Sequence, residues 1–270
     1  MNGILAHAKL NLALVVGPLR GDGKHEVATL LQRVDLGDAL SVEPAGELDV
    51  LGFDDDTIVR AALEALAEAA GVDPCWCARI QKTIPVAAGL GGGSSNAASA
   101  LLLANGLLAE PLAAGRLEAI AAAIGADVPF FLQSGPQLGT GDGSTLEPVA
   151  LPQEFWVTLV LPDGIQKPST ADVYRRFDER QGATGFEQRR QALLEGVGAI
   201  RSVEDIAALP PNDLADSRLA AQLTRLGAFR ADVSGGGPAV YGLFLHRRDA
   251  EEAARALRPN GRTWVLRPVW

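Results

Sequence analysis

Thr83-Ile84-Pro85-Val86-Ala87-Ala88-Gly89-Leu90-Gly91-Gly92-Gly93-Ser94-Ser95-Asn96-Ala97-Ala98 decides how the chain reads. The stretch has the form of a strand end, a glycine loop and a helix opening at the serines. Gly89, Gly91, Gly92 and Gly93 carry no side chain, so backbone N–H groups can approach a ligand closely. Ser94, Ser95 and Asn96 are residue types that cap helix N-termini. Ala97 to Leu107 is rich in alanine and leucine, which are strong helix formers. The first N–H groups of such a helix have no intrahelical partner and lie at the positive end of its dipole. Together these features predict an anion site, and phosphate is the simplest anion to fit it. The competing reading is a bare strand-to-helix turn, although four glycines and three cap residues exceed what a turn needs.

The loop is not a Walker P-loop, because no Gly-Lys-Ser/Thr closes it; Gly23-Lys24 is followed by His25 and opens no helix. Nor is it a dinucleotide fingerprint. Counted from Gly89 or Gly91, the third glycine of that pattern falls on Ser94 or Asn96.

The totals narrow the function classes. The chain has 270 residues, 47% hydrophobic and 21% charged, which are ordinary globular values for one large domain or two compact ones. Net charge is −9 and no lysine/arginine run forms a basic patch, which argues against nucleic-acid or anionic-membrane binding. No apolar run reaches membrane-spanning length. Met1-Asn2-Gly3-Ile4-Leu5 lacks the basic start and apolar core of a secretory signal, so a cytoplasmic protein is expected. Cys75 and Cys77, read as one strand, would share a face and be poorly placed for a mutual disulfide, so two reduced, packed thiols are expected and no metal site.

Along the chain, Ala6 to Val15 alternates as a strand, with Lys9 and Asn11 side by side on the face opposite Leu10 and Leu12. That face reads either as solvated or as part of a site. Gly17 to His25 reads as a loop, followed by strand-like pieces Val27–Val34, Ala39–Glu43 and Leu48–Leu51. Thr57 to Ala70 is an amphipathic helix stopped by Gly71, and Cys75 to Thr83 a strand feeding the glycine loop. Leu112 to Ile124 is a second helix, stopped by Gly125. In Gly125-Ala126-Asp127-Val128-Pro129, an aspartate enclosed by apolar residues reads as a turn residue or as a functional carboxylate. Gly139 to Gly143 connects a hairpin. Pro148 to Glu154 marks a boundary, dividing the chain into 1–153 and 154–270. Beyond it, Trp156–Leu161 is a strand, Ser169 opens a helix with a Ser-x-x-Asp cap, Ser217–Leu226 is helical and Ala239–Leu245 is a strand. Asp249–Leu257 is a helix with an Asp-x-x-Glu box, and Thr263–Pro268 a last strand. The second part thus has a split βαβ order.

The loop Pro85-x-x-x-Gly89-Leu90-Gly91-Gly92-Gly93-Ser94-Ser95-Asn96-Ala97 resembles the phosphate loop of the GHMP kinases. Ala8-Lys9-x-Asn11-Leu12 resembles that family's opening motif, whose lysine reaches the active site. Gly125-Ala126-Asp127-Val128-Pro129 resembles the motif whose aspartate is the catalytic base. Ser234-Gly235-Gly236-Gly237-Pro238 resembles a Ser-Gly-Ser-Gly-Pro loop, with Gly236 at the middle serine. The triple glycine followed by Ser-Ser-Asn is most similar to the branch acting on a cytidine-diphosphate-linked methylerythritol in isoprenoid biosynthesis.

The resemblance implies an α+β chain, with a ribosomal-S5-like N-terminal domain over 1–153 that binds ATP and a ferredoxin-like domain over 154–270. It implies transfer of a phosphoryl group from ATP, with Mg²⁺, to the 2-hydroxyl of that small-molecule substrate. Pro85, Val86, Ala87, Ala88, Gly89, Leu90, Gly91, Gly92, Gly93, Ser94 and Ser95 would hold ATP, and Lys9 and Asp127 would be catalytic. Asn11, His25 and Tyr174 would contact the substrate, Tyr174 by stacking on the cytosine. Where the family has Asp-Gly-Tyr-His, this chain has Asp22-Gly23-Lys24-His25, and a lysine stacks on a ring more weakly than a tyrosine. No metal-binding side chain and no role for Asn212-Asp213-Leu214 beyond a helix cap is implied, and a monomer or weak homodimer is expected. The rival readings are another GHMP kinase of homoserine or mevalonate type, a non-catalytic nucleotide sensor, and a nucleic-acid module.

Overall fold

The structure is a computed structural model describing residues 3–53, 57–165 and 169–270, with Thr57 described by its backbone alone. Met1 and Asn2, which the sequence reading used, lie outside the described residues. The chain forms two compact units. One comprises 1–8, 36–86 and 91–134; the other comprises 9–35, 87–90 and 135–270. Two long strands, β1 (Gly3–Leu19) and β2 (His25–Pro44), contribute residues to each.

In the first unit, the end of β2 pairs antiparallel with β4 (Trp76–Gln81), and β3 (Asp49–Leu51) pairs parallel with β4. Leu40 and Val42 of β2 are buried while Ala39 and Ser41 between them are not, the period of two expected of a strand covered on one face. Helix α1 (Thr57–Ala70) packs on α2 (Gly92–Asn105) and α3 (Ala114–Ile124). Its Val59, Leu63 and Leu66 are fully buried, one apolar stripe at helical spacing. On the other face of the strands, a groove of about 590 Å³ lined by Leu5, Ser41, Leu51, Arg79 and Gln81 holds none of the candidate residues.

In the second unit, β7 (Trp156–Pro162), β8 (Arg230–Val233), β9 (Val240–Phe244) and β10 (Gly261–Leu266) form an antiparallel sheet of order β10-β7-β9-β8. With α4 (Thr170–Glu179), α5 (Phe186–Ala199) and α6 (Arg218–Arg225) before β8, and α7 (Arg247–Leu257) before β10, this is the split βαβ topology expected. Leu219, Leu223, Ala250, Ala253 and Leu257 pack on Val160, Val240 and Phe244 to form its core. The start of β2 pairs with β5 (Gln137–Gly141), which turns into β6 (Thr145–Pro148), and β11 (Pro268–Val269) closes on Arg33 and Val34. Helices beside mostly antiparallel strands give the α+β class the sequence predicts.

Some local expectations need correction. Val27–Val34 and Ala39–Glu43 are one continuous strand rather than two. Asp35 and Asp38, in the gap between the two expected pieces, are accommodated by the fold: Asp35 exchanges bonds with the Arg267 backbone, and Asp38 is wholly buried. Gly17 to Leu19 belong to β1, leaving the loop as 20–24. Helix α2 begins at Gly92 instead of at the serines, and Gly91 supplies the left-handed entry (φ 69°) that a side chain would resist. Helix α7 begins at Arg247, after His246 as N-cap, so Asp249 lies inside its first turn and does not cap it. Cys75 lies just before β4, and both cysteines are free thiols, Cys77 the buried one.

Candidate active site

The second unit gathers Lys9, Asn11, the loop segment 87–90 and the loop 234–238 into one buried cluster. Lys9 and Asn11 sit two apart on β1 and therefore on the same face. Lys9 Nζ donates to Asn11 Oδ1 at 2.6 Å, and Asn11 Nδ2 donates to Thr29 Oγ1 at 2.8 Å. Thr29 Oγ1 in turn donates to Ala13 O at 2.8 Å, which fixes the asparagine's orientation from below. Lys9 and Asn11 are each only 4% exposed, so the solvated-face reading of this strand is excluded. A lysine is seldom buried so deeply without partners, and the asparagine oxygen supplies one of them.

The glycine loop meets this pair through its backbone. Lys9 N donates to Leu90 O at 2.9 Å, and Ala239 N to Ala88 O at 3.1 Å. Ser234 Oγ donates to Gly89 O at 2.9 Å and accepts from Asn11 N at 3.4 Å. Tyr241, fully buried on β9, donates its hydroxyl to Asn11 O at 3.0 Å, and burial pushes its phenol up to about 12. Gly89 is obligatory: its φ is +82°, and a Cβ there would stand 2.1 Å from Ser234 O. Ala87, at φ 56°, is a non-glycine residue in the left-handed region, a costly conformation of the kind that collects at functional loops.

His25 and Tyr174 form a second group in the same unit. Their rings stack with centroids 4.6 Å apart at 22°, and Phe177 meets His25 edge-on at 5.9 Å. His25 Nε2 lies 2.9 Å from Asp178 Oδ1, so that nitrogen carries the proton donated to the carboxylate. Ser169 caps α4 through its Asp172 bond as expected, and this places Tyr174 one turn into the helix. Lys24 Nζ does not join this group. It lies 2.5 Å from Asp142 Oδ2 on the β5–β6 turn. Partial burial pushes the Asp142 carboxyl up, but the bonds from Lys24 and Ser144 outweigh it and hold the group at about 2.

In the first unit, Ser95 N donates to Gly91 O at 2.9 Å, closing the first turn of α2. The N-cap residue Gly91 has no side chain to cap this terminus, which leaves its opening N–H groups suited to an anion. Pro85 to Ala87 lie at the surface of the loop, with Val86 61% exposed. Asp127 occupies the turn after α3, closed by Val128 N to Gly125 O at 3.0 Å. Buried Val128, Pro129 and Phe130 anchor that turn and leave the carboxylate half-buried. Both readings of Asp127, turn residue and functional carboxylate, fit this position.

Several polar residues of these clusters were not singled out in the sequence. Thr29 lies within an apolar strand and carries no motif. Asp38, 0% exposed, accepts from Lys82 Nζ at 2.5 Å, Thr83 N at 2.6 Å and Ile84 N at 2.8 Å, and so fixes the approach to the glycine loop. The signal for it was an aspartate inside a strand pattern, where an unpartnered carboxylate would be costly.

Comparison with known proteins gives a family. Residues 57–135 match the model described as GHMP kinases N terminal domain, and residues 215–262 the one described as GHMP kinases C terminal. The chain is 36% identical over 284 aligned positions to the 4-diphosphocytidyl-2-C-methyl-D-erythritol kinase of Symbiobacterium thermophilum, covering 98% of this chain and 99% of the relative. A crystal structure of 4-(cytidine 5'-diphospho)-2C-methyl-D-erythritol kinase superposes with a TM-score of 0.80 at 32% identity, covering all of both chains. A mevalonate kinase of Methanococcus jannaschii reaches 0.79 at 14% identity, covering 100% of this chain and 98% of that one, a likeness of fold alone.

Proposed function

Given that this chain belongs to the 4-diphosphocytidyl-2-C-methyl-D-erythritol kinases of the GHMP kinase family, we propose that it phosphorylates the 2-hydroxyl of that cytidine compound at the expense of ATP. The substrate oxygen attacks the γ-phosphorus, the new O–P bond replaces the bond to the β-phosphate oxygen, and ADP leaves. Such a reaction needs positioning and charge stabilisation more than covalent chemistry, and the residues divide along those lines.

Asp127 takes the proton of the attacking hydroxyl as general base. Lys9, locked onto Asn11, directs its ammonium at the hydroxyl or at the charge that develops on the transferring group. The backbone of residues 85–95 cradles the phosphates, with the opening N–H groups of α2 at the positive end of the helix dipole. Tyr174 stacks on the cytosine and His25 contacts its polar edge. Mg²⁺ would neutralise phosphate charge in such a reaction, and a serine hydroxyl of the loop such as Ser94 would be the side chain to hold it. The donor chemistry fits an ion shared with nucleotide oxygens, since no cluster of three His, Cys, Asp or Glu among the described residues could hold a metal alone. The family-model matches fall on either side of the 153/154 boundary, which supports 1–153 as the ATP-binding part and 154–270 as the C-terminal part. A cytoplasmic monomer or weak homodimer suits this role; no helix among the described residues is long and apolar enough to cross a membrane.

The observation that carries this reading is the buried Lys9–Asn11–Thr29 chain tied to Gly89 through Ser234. That chain joins the Lys9 ammonium and Gly89 of the glycine loop in one hydrogen-bonded cluster, which supports the roles proposed for both. The test is ADP release from Mg-ATP with 4-diphosphocytidyl-2-C-methyl-D-erythritol, homoserine or mevalonate as acceptor, for the natural chain and Asp127→Asn. Release with the cytidine compound alone is expected, falling about 10²–10⁴-fold in the variant. Release with another acceptor would overturn the substrate, and ATP binding without turnover on any acceptor would point to a sensor.

A further inference from the structure

Asn212 is buried at the meeting point of β1 and β8, in the one motif for which the sequence offered no specific role. Its position explains the motif. The two amide protons on Nδ2 are both used: one goes to Val233 O at 2.9 Å and the other to Gly235 O at 2.7 Å. Oδ1 accepts from Leu214 N at 2.8 Å, which leaves the side chain no freedom to flip. Asn212 N donates to Asp232 Oδ2 at 2.9 Å. Asp232 is also reached by buried Arg230, whose guanidinium binds the carbonyls of Ile206, Leu209 and Pro210. Asp213 N bonds to Leu14 O on β1, so the motif is stitched to the strand that carries Lys9.

The loop that Asn212 holds is the one that backs Lys9. Gly235 has φ +55°, and a Cβ added there would stand 3.4 Å from Asn11 Oδ1 and 3.5 Å from Lys9 Nζ. The next residue back, Ser234, bonds both Asn11 N and Gly89 O. Any movement of the Gly235 carbonyl therefore moves the wall against which the lysine is packed. Two donors on one amide, aimed at the last residue of β8 and at the loop that follows it, do more than cap a helix; α6 begins only at Arg218 and takes its cap from Ser217.

We propose that Asn212 is a positioning residue for Lys9, fixing the ammonium through the loop 234–237 without touching substrate. The contact chain stands on geometry alone, and only its consequence for turnover rests on the kinase reading. Asn212→Asp is the discriminating change. It keeps the size and the Oδ1 acceptor for Leu214 N, but sets an oxygen against two carbonyls where an NH₂ stood.

The experiment uses the full chain labelled at lysine Cε. The sequence contains four lysines, 9, 24, 82 and 167, so the Lys9 signal can be assigned by substitution. In Asn212→Asp the Lys9 resonance should move while those of Lys24 and Lys82 stay. Turnover should fall about tenfold to a hundredfold, as for a misplaced catalytic group, with KM for ATP within about threefold. A folded Asn212→Asp protein with an unmoved Lys9 signal and unchanged kcat would overturn the proposal. If Asn212→Asp does not fold, Gly235→Ala presses on the same wall with Asn212 intact. It should move the Lys9 signal and lower kcat, and an unchanged signal and kcat there would overturn the proposal equally. A moved Lys9 signal in a protein that turns over no acceptor would uphold the positioning and reject the kinase reading instead.

Discussion

The Lys9 cluster and the His25–Tyr174 rim lie in the same unit, yet they are built in opposite ways. Around Lys9 the side chains are buried and linked by hydrogen bonds of 2.6–3.4 Å, several of them to backbone carbonyls of distant segments. Around His25, itself buried, the contacts are a ring stack and a half-exposed Asp178, and the neighbouring Lys24 pairs with Asp142 while its side chain stays 51% exposed. Buried polar networks are costly unless complete, and once complete they hold one geometry. Exposed pairs contribute little and tolerate exchange. The comparison teaches where a kinase can vary. On the proposed assignment, the phosphoryl-transfer end would be fixed by interlocked bonds, whereas the base-recognition end would accept Lys24, paired with a neighbouring carboxylate, in place of an aromatic residue.

The comparison breaks most sharply at Lys9. Lys9→Met should lower kcat about 10²-fold or more while leaving KM for the cytidine substrate within about threefold, measured by coupled ADP release. On the rim, Tyr174→Leu should do the reverse. Loss of a base stack worth about 1–3 kcal/mol should raise KM for the cytidine substrate roughly 5- to 100-fold with little change in kcat. Ser234→Ala removes a fully buried hydroxyl bonded to Gly89 O and Asn11 N, leaving both without their partner. A loss of about 1–3 kcal/mol in denaturant unfolding is expected, larger than for any single rim substitution.

The smallest effect belongs to Lys24→Met. Asp142 is held at about 2 in the folded protein against an ordinary value of 3.8, so its ionised form is favoured by folding. That contribution is present above about pH 4 and lost as pH falls through about 2. Removing Lys24 should therefore destabilise the protein by well under about 1 kcal/mol at neutral pH, by less as pH falls through about 2, and by nothing well below that. It should also raise the Asp142 carboxyl toward 3.8, read by carbon-13 NMR titration.

Much of the fold was legible because local chemistry and tertiary structure agree. Helix α1 begins and ends where its apolar spacing and Gly71 place it, and the Ser169 cap of α4 forms as its spacing predicts. Legibility failed where a distant partner overrode local preference. Two strand pieces were expected where β2 is one; Asp35 and Asp38 lie in the gap between them, and their carboxylates are matched by the Arg267 backbone, Lys82 and the backbone of 83–84, so the strand runs on. Ser94 and Ser95 looked like caps, but the left-handed Gly91 lets the helix start earlier and keeps the serines inside its first turn. Lys9 and Asn11 were legible as a pair from their alternation. Thr29, Asn212 and Ser234 complete their setting from 18 to 223 residues away in sequence, and no local periodicity reports a bond of that span. Lys9 on a strand and Lys24 in a loop were told apart, but the pairing of Lys24 with Asp142, 118 residues on, carries no local signal.

The most direct test of this division is a side-by-side measurement of kcat and KM for Lys9→Met and Tyr174→Leu with Mg-ATP and 4-diphosphocytidyl-2-C-methyl-D-erythritol. The account predicts a crossing, with kcat falling in the first and KM rising in the second. Full turnover in Lys9→Met, or a Tyr174→Leu protein that loses kcat with KM unchanged, would contradict it.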